Sequence, residues 1–203
     1  MWSDHGGLRK VSRVVSVLGH PLLTAAVFVL FVGFTRFSGP KAIVSSLIVI
    51  GLVILPIIAW NYRNTRQGRY SNFDVSVRSQ RHSFYVVSIG LLGLGTLALW
   101  LTDQPWALRC GMAFALLLVI VSGLANRYIK ASLHTSVSVF LSLALLTIHP
   151  VAGAVLLGFS AVVAASRWVL GRHTLPEIGV GASIGLAVGG GLYFFMKHAV
   201  PFV

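Results

Sequence analysis

The sequence predicts an all-α fold: a polytopic transmembrane helix bundle of six to seven spans, forming one integral membrane domain over residues 1–203. Composition gives the first reason. Mean hydropathy is +0.86, with 56% hydrophobic and 10% charged residues, whereas soluble domains carry roughly a quarter charged residues. The second reason is that apolar runs recur at 11–35, 41–61, 83–102, 106–126, 133–148, 150–167 and 177–196. Each is a helix candidate, because a hydrocarbon core about 30 Å thick takes ~20 apolar residues per helix and satisfies no backbone group from outside.

Taken in order, the first run follows Arg9, Lys10 and Arg13. It is too long for the apolar core of a signal peptide and lacks a small-residue cleavage site, so it reads as a retained first span. Pro21 and Pro56 lie inside runs and predict kinks, which membrane helices tolerate. Ser38-Gly39-Pro40, Asp103-Gln104-Pro105 and His149-Pro150 are turn signals that fold adjacent runs into hairpins. The last run carries Gly181, Gly185 and Gly189 at a spacing of four, a pattern that lets membrane helices approach closely. No internal repeat and no separate soluble domain is visible.

Net charge is +12, which in a soluble protein would suggest nucleic acid. Here the basic residues sit in short gaps between apolar runs, where they meet headgroups and phosphates, and nucleic acid is not an expected partner. Cys110 is the single cysteine, so no internal disulfide forms. The expected home is a bilayer, with multi-pass insertion in the plasma (inner) membrane of a prokaryote.

Counting crossings places the segments 62–82, 127–134 and 166–176 on one face. They hold Asp74, Arg78, Arg81 and His82; Arg127, Lys130, Ser132 and His134; and Arg167, Arg172 and His173, with Glu177 at the entrance of the last helix. Of the chain's 4 acids and 7 histidines, two acids and three histidines fall in this set. Ionisable groups beside hydrocarbon are costly, and function is the default reading of such a cluster.

Ser166-Arg167, five residues, His173, three residues and an acid at 177 resemble the third signature of the type 2 phosphatidic acid phosphatase (PAP2) superfamily, SR-x5-H-x3-D. Ala131-Ser132-Leu133-His134-Thr135 is similar to the second, PSGHT, in its serine, histidine and threonine. Asp74 to His82 resembles the first, K-x6-RP, in Arg81 only. Asp74 stands where that signature has lysine, and Arg78 and Lys130 are the residues placed to supply the missing cation. His82 replaces the proline, Leu133 the glycine, and Glu177 lengthens the acidic arm by one methylene.

The resemblance implies a PAP2-like core and a metal-independent lipid phosphatase. His173 would be the nucleophile that forms a phosphohistidine, Glu177 would hold its other ring nitrogen, and His134 would protonate the leaving oxygen and later activate water. The residues suit this chemistry on physical grounds. Phosphoryl transfer is mostly positioning and charge stabilisation, which arginine's planar fork does well. Arg167, Arg81 and Arg78 fit that role, with Lys130 and Ser132 beside them. The expected substrate is a membrane lipid phosphate: a phosphatidate, a glycerophospholipid phosphate or a polyprenyl (di)phosphate. No cofactor is required and no metal, since divalent-metal phosphatases gather several carboxylates and these segments offer only Asp74 and Glu177. A zinc site from His82, His134, His173 and Glu177 is the lesser alternative, because the neighbouring cations would repel it. A lipid phosphotransferase is the nearest variant, and a non-catalytic binder or transporter of phosphorylated lipid is a different class. The pair of histidines favours catalysis, because binding alone has no use for a nucleophile and an acid.

Structural readings compete at several positions. Thr174-Leu175-Pro176-Glu177 is a capping box that would use Glu177 merely to start a helix. Arg63, Arg66 and Arg69 read as a topology signal or headgroup contact. Asp74 is expected to pair with Arg78 or Arg81 and hold the first loop in shape. His20 and His149 read as turn or cap histidines. Outside the site residues, basic side chains favour a cytoplasmic active face, while many members of the resembled superfamily work on the outer face; the sequence leaves the face open.

Overall fold

The protein is described by a computed structural model in which residues 5–199 are placed. Among the described residues it is all-helical. Its elements are α1 (His5–Leu18), α2 (Pro21–Arg36), α3 (Gly39–Ser46), a π-helical segment (Leu47–Ile54), α4 (Leu55–Arg66), a 3-10 turn (Arg78–Gln80), α5 (Arg81–Leu101), α6 (Trp106–Ala125), α7 (Leu133–Leu146), α8 (Pro150–Val169) and α9 (Leu175–Ala199). Five helices are long and apolar enough to cross a bilayer, and the α1 and α2 pair, bent by 49°, makes a sixth if counted as one broken span.

Two of the seven apolar runs therefore differ from plain spans, each for a physical reason. The first run breaks before Pro21, which begins α2 at the position where a missing N–H costs nothing, so the proline starts a helix instead of kinking one. The run at 133–148 yields only the 14-residue α7, roughly 21 Å at 1.5 Å per residue. Ser136, Phe140, Leu141 and Leu145 are buried along with six other residues of this helix; a helix wrapped in protein need not match lipid thickness. Pro56 lies within one continuous apolar helix, Gly39–Arg66. It follows the π-helical segment, where the Leu55 N–H reaches Ile50 O, and this wider turn relieves the clash that a proline ring makes with the carbonyl four residues back.

The chain forms two compact units, Met1–Thr24 with Ile129–Val203, and Ala25–Tyr128. In the first, α7 packs against α8 and α9, and α1 packs against α8. The glycine repeat sets the α7–α9 distance. A Cβ on Gly181 would lie 2.6 Å from Ser132 O, one on Gly185 2.6 Å from Ser136 O, and one on Gly189 3.0 Å from Leu143 Cδ1. Only hydrogen fits there, which is how small residues bring membrane helices together. Ser142 and Ser160 bridge α7 and α8 at 3.1 Å between hydroxyl oxygens.

In the second unit, α5 and α6 form a hairpin through Asp103, whose φ is +46°. Arg109 closes the turn, 3.2 Å from Asp103 and over the rings of Trp100 and Trp106 at 4.9 and 5.6 Å. The buried Ser45 hydroxyl donates to Gln104 Oε1 at 2.8 Å, tying α3 to that turn. At the other end of the unit, Trp60 Nε1 donates to the Tyr70 hydroxyl, which lies 2.8 Å from Ser83 Oγ.

Candidate active site

The spacing between Arg167 and His173 is the end of a helix. Gly171, at φ +65°, terminates α8 in the left-handed region that only glycine enters freely. Its N–H bonds Trp168 O at 2.8 Å and the Arg172 N–H bonds Arg167 O at 3.0 Å, the paired bonds of a Schellman ending. The His173 N–H also reaches Arg167 O, at 3.3 Å. The reversal leaves Arg167 on the last turn of α8 and His173 just before α9, with 2% and 5% of their surfaces exposed.

Glu177 caps α9 and holds the histidine at once. Its Oε2 accepts from the Thr174 N–H at 3.1 Å, while its own N–H reaches Thr174 Oγ1 at 3.5 Å, completing the capping box. The same Oε2 lies 2.9 Å from His173 Nδ1 and 3.7 Å from Lys130 Nζ. Lys130 also donates to Arg172 O at 2.9 Å, so its ammonium spans the turn between α8 and α9.

The start of α7 is joined to this turn by a backbone bond from Ser132 N–H to Glu177 O at 3.1 Å. Ser132 caps α7: its fully buried hydroxyl accepts from the Thr135 hydroxyl at 3.0 Å and the Thr135 N–H at 3.5 Å. His134 follows in the first turn of α7, 6% exposed. The first turns of α7 and α9 thus lie side by side, and helix N-termini carry positive partial charge that favours an anion.

Lys130, Ser132, His134, Arg167, His173 and Glu177 therefore all belong to the first unit. Arg78 and Arg81 belong to the second. There Arg78 Nε donates to Asn126 O at 2.7 Å and its terminal nitrogen to Arg127 O, so this guanidinium caps the carbonyl end of α6. Arg81 is 3% exposed, and its Nε donates to Val75 O at 2.9 Å. Val75 itself is buried at φ +49°. His82 is exposed at the start of α5.

Two contacts were not anticipated from sequence. Arg167 donates to Ser16 Oγ at 2.6 Å, which joins α8 to a buried serine of α1. His20 meets the His134 ring edge-on, with centroids 5.1 Å apart and planes at 85°. Its Nδ1 accepts from the Leu22 N–H at 3.3 Å, so a cap at the start of α2 also delivers an imidazole to the site. The available signal was the small polar series Ser12, Ser16, Gly19 and His20, one face of α1 continued into the break; Ser12, Ser16 and Gly19 are buried.

These helices define a multi-pass bundle with apolar lengths suited to a bilayer. A scan against protein-family models and searches of curated proteins and of solved structures found no match.

Proposed function

We propose that the protein is a metal-independent lipid phosphatase of PAP2 type, which removes the terminal phosphate of a membrane lipid. The observation that carries this reading is the linked cluster in which Glu177 Oε2 stands 2.9 Å from His173 Nδ1 while the Glu177 carbonyl holds the start of the helix bearing His134. Two separate motif-like stretches meet there, with two imidazoles, Arg167 and Lys130 in one unit.

With Nδ1–H donated to Glu177, the His173 lone pair resides on Nε2. Attack by Nε2 on phosphorus forms the P–N bond as the P–O bond to the lipid breaks. His134 in its protonated form gives its proton to the departing alkoxide. In the second half, His134 takes a proton from water, the resulting hydroxide attacks phosphorus, and the P–N electron pair returns to Nε2, releasing inorganic phosphate. Arg167 and Lys130, with the first turns of α7 and α9, supply positive charge where the equatorial oxygens accumulate negative charge. Burial strengthens these interactions relative to water. Ser132 orders the first turn of α7 beneath His134. Transfer to another lipid hydroxyl instead of water would use the same two steps. Phosphate release from a panel of lipid phosphates by detergent-solubilised protein tests the reading: activity lost in His173→Ala supports it, and full activity in that variant contradicts it.

A further inference from the structure

We propose that the second unit carries a binding cleft for an anionic phospholipid, a reading that stands whether or not the catalytic assignment holds. A cleft of about 380 Å³ opens between α5 and α6, within the roughly 300–1,000 Å³ of small-ligand sites. Its lining changes character along its length. At one end are Ser79, His82 and Arg127; along the arm are Val86, Ile89 and Ile120. His82, Val86 and Ile89 follow one face of α5 at helical spacing, while Ile120 lies on the antiparallel partner α6 and Arg127 in the turn just past its C-terminal end, so both sides of the cleft become polar at the same end. Gly123 forms part of the wall because a Cβ there would stand 3.3 Å from the Tyr85 ring.

The polar end suits a phosphodiester. His82 and Arg127 are both exposed, and no acidic residue lines the cleft. The carbonyls closing α6 would repel an anion, but Arg78 donates to two of them, at Asn126 and Arg127. The start of α5 adds the positive end of a helix. The arm suits acyl chain: both helices are long and apolar enough to cross a bilayer, and Val86 beside the cleft is 57% exposed. A guanidinium and an imidazole at one end, followed by the exposed Val86 and the half-buried Ile89 and Ile120, match one occupant, a phospholipid with its phosphate at Arg127 and a chain along Ile89 and Ile120. A free phosphate would leave the apolar arm unused.

Native mass spectrometry of the detergent-solubilised full chain tests this with dioleoyl phosphatidylglycerol and dioleoyl phosphatidylcholine. Phosphatidylglycerol has no terminal phosphate, so its retention is separable from hydrolysis. It should bind about tenfold more tightly than phosphatidylcholine, as expected for charge-assisted contacts. The His82→Ala, Arg127→Ala double variant should erase that preference, Arg127→Lys should keep most of it, and Ile120→Trp should block the arm and lower retention. His173→Ala and excess inorganic phosphate should change nothing. Equal retention of the two lipids, an undiminished preference in the double variant, unchanged retention in Ile120→Trp, displacement by inorganic phosphate or loss in His173→Ala would each overturn the proposal.

Discussion

His173 Nδ1 lies 2.9 Å from Glu177 Oε2 although the histidine precedes α9 and the glutamate belongs to its first turn. One carboxylate oxygen serves both the capping box and the imidazole, so the two roles separate by substitution. Glu177→Gln keeps an oxygen able to accept from the Thr174 N–H, since glutamine also forms capping boxes, but it removes the charge that stabilises an imidazolium. Phosphate release should fall by roughly 10²-fold or more with little change in melting temperature. Glu177→Ala should lose the cap as well, at a further cost of about 1 kcal/mol, visible as an earlier thermal transition in detergent.

The α7–α9 approach gives a second expectation. Gly181→Ala drives a methyl into the Ser132 carbonyl and Gly185→Ala into the Ser136 carbonyl, each from 2.6 Å. Backbone cannot yield as a flexible side chain would, so each variant should lose about 1–3 kcal/mol. Gly190→Ala meets nothing within 4 Å and should be neutral or slightly stabilising, as helical Gly→Ala changes are. Thermal unfolding of the three variants side by side measures the contrast, and Gly181→Ala should also depress activity by parting Ser132 from Glu177.

His20 offers a third. The edge-on ring fixes the orientation of the His134 imidazole. His20→Asn preserves an acceptor for the Leu22 N–H while removing the ring, so melting should be unaffected. The turnover number should fall about tenfold with KM nearly constant, and the pH profile of turnover should change shape, because the acid and base steps assigned to His134 are the ones disturbed.

Chelation provides a fourth. No step in the scheme passes through a metal, so EDTA should leave phosphate release unchanged, while vanadate, which adopts the five-coordinate geometry of the transferring phosphorus, should inhibit. Loss of activity on chelation with recovery on adding zinc would favour a metal hydrolase instead.

Much of the site's local geometry was legible because it is written in short-range chemistry. Gly171 and the capping box fix where Arg167, His173 and Glu177 fall around one turn, and the four-residue glycine repeat announces the close helix contact that brings Ser132 to them. What the sequence concealed depends on distant partners. Ser16 and His20 look like ordinary helix and cap residues until α1 packs on α8. Arg78 looks like a free phosphate ligand until its guanidinium closes on Asn126 and Arg127, 48 and 49 residues away in sequence. The run at 133–148 forms the short, buried α7 for a related reason, since hydropathy reports an apolar run but not whether lipid or protein surrounds it.

The phosphohistidine is the most direct test of the account. The protein is mixed with a radiolabelled lipid phosphate, quenched within the first turnover under conditions that preserve P–N bonds, digested and mapped by mass spectrometry. Phosphate on His173, absent from His173→Ala and accumulating in His134→Ala when the lipid carries a good leaving group, is the predicted result. Turnover with phosphate on another residue, or with His173→Ala fully active, would contradict it.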